Sequence, residues 1–179
     1  CGWIVDLRAN PGGNMWPMLL GLGPVVGSGV VGYFVDPDSS WTSWYYRAGE
    51  AGINLAPSGF RVSAPYELKR PDPPVAVLTG PTTASSGEAI TTAFRGRPET
   101  RSFGAGTAGL STGVAGIRLR DGAQIGLATS VFADRTRRLY GGVIEPDQPV
   151  AGTMREDPSS GDAGVDAAAA WLLGRPACR

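Results

Sequence analysis

The segment GPTTASSGEAITTAF, residues 80–94, carries two adjacent serines, Ser85 and Ser86, in a chain with no histidine and a single lysine, Lys69. A serine hydroxyl is a weak nucleophile until a neighbouring base takes its proton. The chemistry open to this segment therefore depends on where a base can come from. Ser85 and Glu88 have the S-x-x-E spacing of a capping box, in which both side chains satisfy free amides at a helix start. The same placement suits catalysis. A serine at a helix N-terminus, just after a buried strand, is exposed at the strand's carboxyl end, where free amides and the helix dipole favour an oxyanion. The second candidate is NPGGN, residues 10–14. It reads as a tight turn, and as a loop whose Gly12 and Gly13 can aim backbone N–H groups at a developing negative charge.

Two strand-loop-helix units have to position these groups. GWIVDLR, residues 2–8, reads as a strand buried on both faces. The glycine loop follows, then a short helix within MWPMLLGLGPVVG that Gly21 to Pro24 should terminate. VAVLTG, the loop PTTA and a helix starting at or near Ser85 repeat the pattern, and the two units would stand side by side in a parallel sheet. Between them, residues 27–74 read as a strand-rich insertion, with strands in VVGYFVD and SWTSWYYRAG and a loop in INLAPSGF. Downstream, RSFG reads as a short strand, AGTAGLSTGVAG as a glycine-rich stretch, and IRLRDGAQIGLATSVFAD as a hairpin turning on the two residues Asp121-Gly122. GDAGVDAAAAWLLGRP reads as a closing helix stopped by Gly174 and Pro176.

At 179 residues, 42% hydrophobic and 18% charged, the chain has the size and composition of one domain with an ordinary core. Its 16 basic and 16 acidic residues balance. No basic run marks a nucleic-acid or membrane surface, and no apolar stretch is long enough to cross a bilayer. There is no Cys/His cluster for zinc, no P-loop and no dinucleotide fingerprint, so neither metal nor cofactor is expected. Cys1 and Cys178 allow a terminus-to-terminus disulfide or two unrelated thiols. The aromatics of SWTSWYYR read as core or cross-strand pairs, or as the lining of a groove.

Four motifs in order resemble one known family. GWIVDLRANPGGNM is similar to the D-L-R-x-N-x-G-G signature of the C-terminal processing peptidases, also called tail-specific proteases. VAVLTGPTTASSGEAITTAFRGR resembles their nucleophile segment, SFGAGTAGLSTG their G-x-x-T-x-G-K-G segment, and GGVIEPD their closing G-I-x-P-D. The resemblance implies an α/β fold with a ClpP/crotonase-like core, a peptide or protein substrate, and a location outside the cytoplasm. It places the nucleophile on Ser85, because Glu88 must match the motif's glutamate. Ser86 then offers its amide to the oxyanion, with Gly12 or Gly13 as the second donor.

The departure from the family concerns the base. Lysine-dependent members place it in the G-K-G segment, where this chain has Leu110, and Lys69 lies in a polar, proline-flanked stretch that suits a solvated surface lysine. The resemblance is therefore closer to the tricorn-core branch, whose base is a histidine from earlier in the polypeptide. Residues 1–179 then read as the C-terminal portion of a longer serine endopeptidase, with the histidine on a preceding segment or an associated chain. Glu145 is the carboxylate placed to orient such a base, while Asp147 reads as making a structural turn with Pro146. The alternative is a non-catalytic peptide- or apolar-ligand-binding protein on the same fold. An acyl-CoA enzyme of the crotonase type is a third option, by fold analogy alone.

Overall fold

The computed structural model describes residues 1–152 and 161–178. In chain order the elements are β1 (Trp3–Asp6), α1 (Met15–Val26), β2 (Gly29–Val35), β3 (Trp41–Arg47), β4 (Glu50–Ile53), β5 (Ala56–Arg61), β6 (Val75–Thr79), α2 (Ser86–Phe94), β7 (Thr100–Gly104), β8 (Thr112–Arg118), β9 (Gln124–Asp134), β10 (Gln148–Pro149) and α3 (Ala163–Leu173), followed by a short 3-10 turn. They form an α/β fold with two sheets.

The first sheet is parallel, in the order β1-β6-β7-β10. All five residues of β6 are buried, because successive side chains of a strand point to opposite faces and both faces are covered. Val75 and Val77 join a cluster with Leu19 of α1 and Ile90 and Phe94 of α2. Ala76 and Leu78 join Phe103, Ala168 and Leu172, on the side of α3. Each large side chain removed from water in this way contributes about 1.5–3 kcal/mol. The two strand-loop-helix units do stand side by side, with β1 paired to β6 along its whole length.

Two expectations for this half are corrected. The first strand is not buried on both faces. β1 is the sheet's edge, and Trp3 and Ile4 are exposed; an apolar run of this length looks the same in a central and an edge strand. Nor does α1 end at Gly21 to Pro24. It continues to Val26, because Gly23 lets the Tyr46 ring pack where a Cβ would lie 2.0 Å from it, and Pro24 falls in the last turn. The helix ends at Gly27, whose φ of +92° suits a glycine.

The second sheet is antiparallel, in the order β5-β4-β3-β2-β9-β8. The strand-rich stretch does not form it alone, since β2 pairs with β9. INLAPSGF is not a loop: it contributes the end of β4 and most of β5, joined by Asn54 and Leu55 at φ +46° and +69°. Leucine is a poor residue for positive φ, which hid the turn. Asn54 is held there by Ser43, whose N–H and hydroxyl both donate to its side chain at 2.8 and 3.1 Å. The β8–β9 hairpin forms, but β8 starts at Thr112 and the connection has three residues, closed by Leu119 N–H donating to Ala123 O at 2.8 Å. Gly122, φ +89°, takes the last, left-handed place. Trp44 is fully buried and packs on Phe34 and Phe132 with ring centroids 4.8 and 5.2 Å away, so this aromatic belongs to the core.

Cys1 and Cys178 form a disulfide, Cα atoms 5.0 Å apart across 177 residues of sequence. It fastens the start of β1 to the chain beyond α3, where Leu172 packs against Gly2. Among the described residues no helix is long and apolar enough to cross a membrane. Loss of a native disulfide typically costs about 2–5 kcal/mol. Cys178→Ser, or reduction of the wild type, is therefore expected to lower the urea midpoint of the full-length protein, and a midpoint indifferent to reductant contradicts the bridge.

Candidate active site

Because β1 and β6 are parallel neighbours, the loops that leave their carboxyl ends lie together, and backbone hydrogen bonds fasten one to the other. Ala84 N–H donates to Asn10 O at 3.0 Å. The Thr83 hydroxyl donates to Leu7 O at 2.8 Å and accepts from Gly80 N–H at 3.1 Å. Within the glycine loop, Gly12 N–H donates to Asn10 Oδ1 at 3.0 Å. Gly12 and Gly13 have φ of +107° and +120°. A Cβ on Gly12 would come 2.9 Å from both Ala84 O and Ser85 Cβ, so this close approach requires glycine. The Gly13 N–H has no hydrogen bond among the described residues, while Gly13 O accepts from the Ser86 hydroxyl at 2.6 Å. Of the two glycine amides, one is occupied and one is not.

Ser85 and Ser86 are half-buried at the head of α2. Ser85 has φ +51° and ψ −116°, a conformation a serine adopts only at a cost. The caps of the other two helices differ: Asn14 and Asp162 are extended, and their side chains accept helix amides as caps ordinarily do. In the Ser85 box only the glutamate side is tight. Glu88 accepts from Ser85 N–H at 2.8 Å, while the Ser85 hydroxyl faces the Glu88 amide without a well-formed capping bond. Capping alone does not account for the strained backbone. The first amides of α2, Ser86 N–H among them, have no partner inside the helix.

Glu88 is fully buried and does more than cap. Its carboxylate also accepts from the Thr107 hydroxyl at 2.5 Å, Gly109 N–H at 2.9 Å and Leu110 N–H at 2.8 Å. Thr107 Oγ1 in turn accepts from Ile144 N–H at 2.9 Å. Asn10, Thr83 and Thr107 were not among the sequence candidates. The Asn-Pro pair at the head of the glycine loop was the available signal for Asn10, through its turn-forming side chain; the threonines act across gaps in sequence that no local pattern reveals.

Leu110 is exposed, and its N–H shares one Glu88 oxygen with the N–H of Ser85, so the position the resemblance gives to lysine is near the Ser85 loop but holds leucine. Lys69 lines a depression with Cys1 and Trp3, at the opposite end of β1 from the glycine loop. Glu145 is exposed and follows the anchored Ile144; its carboxylate lies beside Gly106, and its carbonyl accepts from Arg95. It makes no hydrogen bond to either serine. Asp147 is a clamp: it pairs with Arg95 at 2.5 Å and accepts from the N–H and hydroxyl of Ser102, both at 2.8 Å. Burial pushes the Asp147 carboxyl up, but the Ser102 N–H, the Arg95 charge and the Ser102 hydroxyl outweigh it and hold its pKa below the ordinary value.

The profile of peptidase family S41 matches residues 1–150, and the chain belongs to that family. Over 147 residues, 82% of this chain and 45% of the relative, it is 35% identical to a nisin-resistance protein of Lactococcus lactis subsp. lactis. A lipoprotein from Streptococcus agalactiae superposes with a TM-score of 0.75 at 28% identity, over 96% of this chain and 54% of that one. The photosystem II D1 C-terminal processing protease shares the fold, with a TM-score of 0.58 at 17% identity, over 99% of this chain and 40% of that one. The chain thus spans about half the length of the first two relatives.

Two outcomes follow for stability. Glu88→Ala leaves several buried donors without an acceptor and is expected to cost about 3 kcal/mol or more, read from urea unfolding; a loss under about 1 kcal/mol contradicts the hub. For Asp147 the folded pKa is the lower one, so its stabilisation is present above the unfolded value near 3.9 and is lost as pH falls through the folded value. Asp147→Asn should destabilise the protein at neutral pH and flatten the acid limb of a midpoint-against-pH curve. An unchanged limb contradicts the clamp.

Proposed function

We propose that this chain carries the nucleophile and oxyanion hole of a serine endopeptidase of the tail-specific type, and that the general base comes from outside residues 1–179. The observation that carries the reading is Ser85 itself: a strained serine at a strand-to-helix turn, packed so closely on Gly12 that no side chain fits between them. Strain of this kind thrusts a hydroxyl out of a strand-to-helix turn for attack.

In the proposed mechanism the Ser85 Oγ attacks the scissile carbonyl carbon as its proton passes to the external base. The carbonyl oxygen becomes an oxyanion, held by the N–H groups of Ser86 and the glycine loop. Gly12 N–H is committed to Asn10, so Gly13 is the donor we assign. Collapse of the tetrahedral intermediate breaks the C–N bond, and the base returns its proton to the leaving amine. This leaves an ester on Ser85, which water then hydrolyses with the same base. Among the described residues none fills the base's role that the family pattern gives to lysine or histidine: the chain has no histidine, and Leu110 takes no proton. A histidine on a preceding segment or an associated chain fits the need, with Glu145 as the carboxylate that orients it. Residues 1–179 are then one portion of a peptidase core, with an insertion at about 27–74.

The substrate is a peptide or protein, and nisin, after which the lactococcal relative is named, is the first to test. A location outside the cytoplasm is supported by the disulfide and by the lipoprotein among the relatives.

Labelling with a fluorophosphonate tests the assignment. The full-length protein should label on Ser85, Ser85→Ala should not label, and residues 1–179 alone should react slowly or not at all. Where a serine and its base act as a unit, losing the serine costs on the order of 10⁶ in kcat, so Ser85→Ala should also abolish measurable peptide cleavage. Full-length labelling that survives Ser85→Ala sinks the assignment. A full-length protein that neither labels nor cleaves points to the ligand-binding alternative.

A further inference from the structure

At the opposite end of α2 from Ser85, where α2 and α3 finish and β7 begins, lies a cavity of about 670 Å³. Volumes of roughly 300–1,000 Å³ are typical of small-molecule sites. Thr91, the lining residue of α2 nearest to Ser85, is six residues or about 9 Å along the helix from it, and none of Ser85, Ser86, Gly13 and Glu145 lines the cavity, so it is not part of the proposed catalytic centre. Its lining carries five guanidinium groups, of Arg95, Arg97, Arg101, Arg138 and Arg175, against three carboxylates. The chain as a whole is neutral, which makes this excess a local one.

The three carboxylates do not neutralise it. Asp147 is taken by Arg95 and Ser102. Asp134 is taken by the N–H groups of Thr136 and Arg138 and by the hydroxyls of Thr136 and Tyr140. Glu99 stands 3.7 Å from Arg175, a loose pair at a half-exposed site and worth little. Arg97 is 6% exposed and makes no ion pair among the described residues, the Asp72 charge reaching it only at longer range: its Nη1 donates to Pro98 O and the Thr100 hydroxyl, and its Nε meets no acceptor there. Arg101 lies over Phe103 at 5.8 Å and Arg138 over Tyr140 at 5.6 Å. Such contacts use the cation's charge and none of its N–H donors.

The negative ends of α2 and α3 explain arginines close to them, which covers Arg95, Arg97 and Arg175. They do not explain Arg101, on β7, or Arg138, beyond β9. Arginine's planar fork of donors is suited to phosphate and carboxylate, and the cavity is too large for one such group alone. We propose that it binds a small polyanion, a molecule with two or more phosphate or carboxylate groups, through Arg97, Arg101 and Arg138.

Calorimetric titration and thermal unfolding of the full-length protein at physiological salt test this, with sodium tripolyphosphate and citrate as probes. At least one probe should bind at one site per chain and raise Tm. Arg101→Gln and Arg138→Gln, both free of structural hydrogen bonds from their guanidinium groups, should each weaken binding about tenfold, the loss of one charge-assisted hydrogen bond. Arg118→Gln on the β8–β9 hairpin should leave it unchanged. A response to tripolyphosphate alone marks a phosphate ligand, and a response to citrate alone a carboxylate one. Failure of both probes to bind at millimolar concentration overturns the proposal. So does binding that Arg101→Gln and Arg138→Gln leave intact.

Discussion

A buried carboxylate that makes no ion pair among the described residues organises the candidate site. Glu88 is removed from water, and an isolated carboxylate in such a place costs several kcal/mol unless hydrogen bonds replace its hydration. Four donors do so, from Ser85, Thr107, Gly109 and Leu110. They come from the Ser85 loop and from the segment after β7, so satisfying one carboxylate fixes the position of one loop against the other. Thr107 extends the linkage to Ile144, and the Asp147 clamp holds the chain just beyond.

Asn10 does for the glycine loop what Glu88 does for the serine. Its carbonyl takes the amide of Ala84 and its side chain takes that of Gly12, which leaves Gly13 as the glycine whose N–H has no partner among the described residues. The parallel pairing of β1 and β6 brings both loops to the same end of the sheet, where the free amides of the α2 start already point. Strain at Ser85 is held in place by these anchors rather than by its own hydroxyl. In the mechanism we propose, that division of labour frees the hydroxyl for attack and leaves the neighbouring N–H groups to meet an oxyanion.

Much of this arrangement was legible from the residues, because the period of the apolar runs and the glycine and proline breaks fix strand-loop-helix units locally. The pairing of the two units, the closing helix ending at Gly174 and the β8–β9 hairpin follow from those signals. What escaped was decided at long range. Whether Trp3 and Ile4 face solvent depends on which strand becomes the edge, and the run of α1 past Gly21 depends on the ring of Tyr46. The β4–β5 turn was hidden because Leu55 adopts a conformation its side chain disfavours. At the site, S-x-x-E read as a complete four-residue cap, so nothing local revealed that Glu88 also holds residues 107 to 110. That Gly12 N–H is occupied by Asn10, the ground on which we propose Gly13 as the donor, required knowing where Asn10 points.

We propose that Ser85, Ser86 and Gly13 form one reaction centre held by Glu88 and Asn10. A crystal structure of the full-length protein with a peptide boronate bound addresses it most directly. The expected result is a tetrahedral boron on Ser85 Oγ, with one boronate oxygen about 2.7–3.1 Å from both the Ser86 and Gly13 nitrogens. Boron bonded to another residue, or an adduct on Ser85 whose oxygens turn away from both amides, would contradict it.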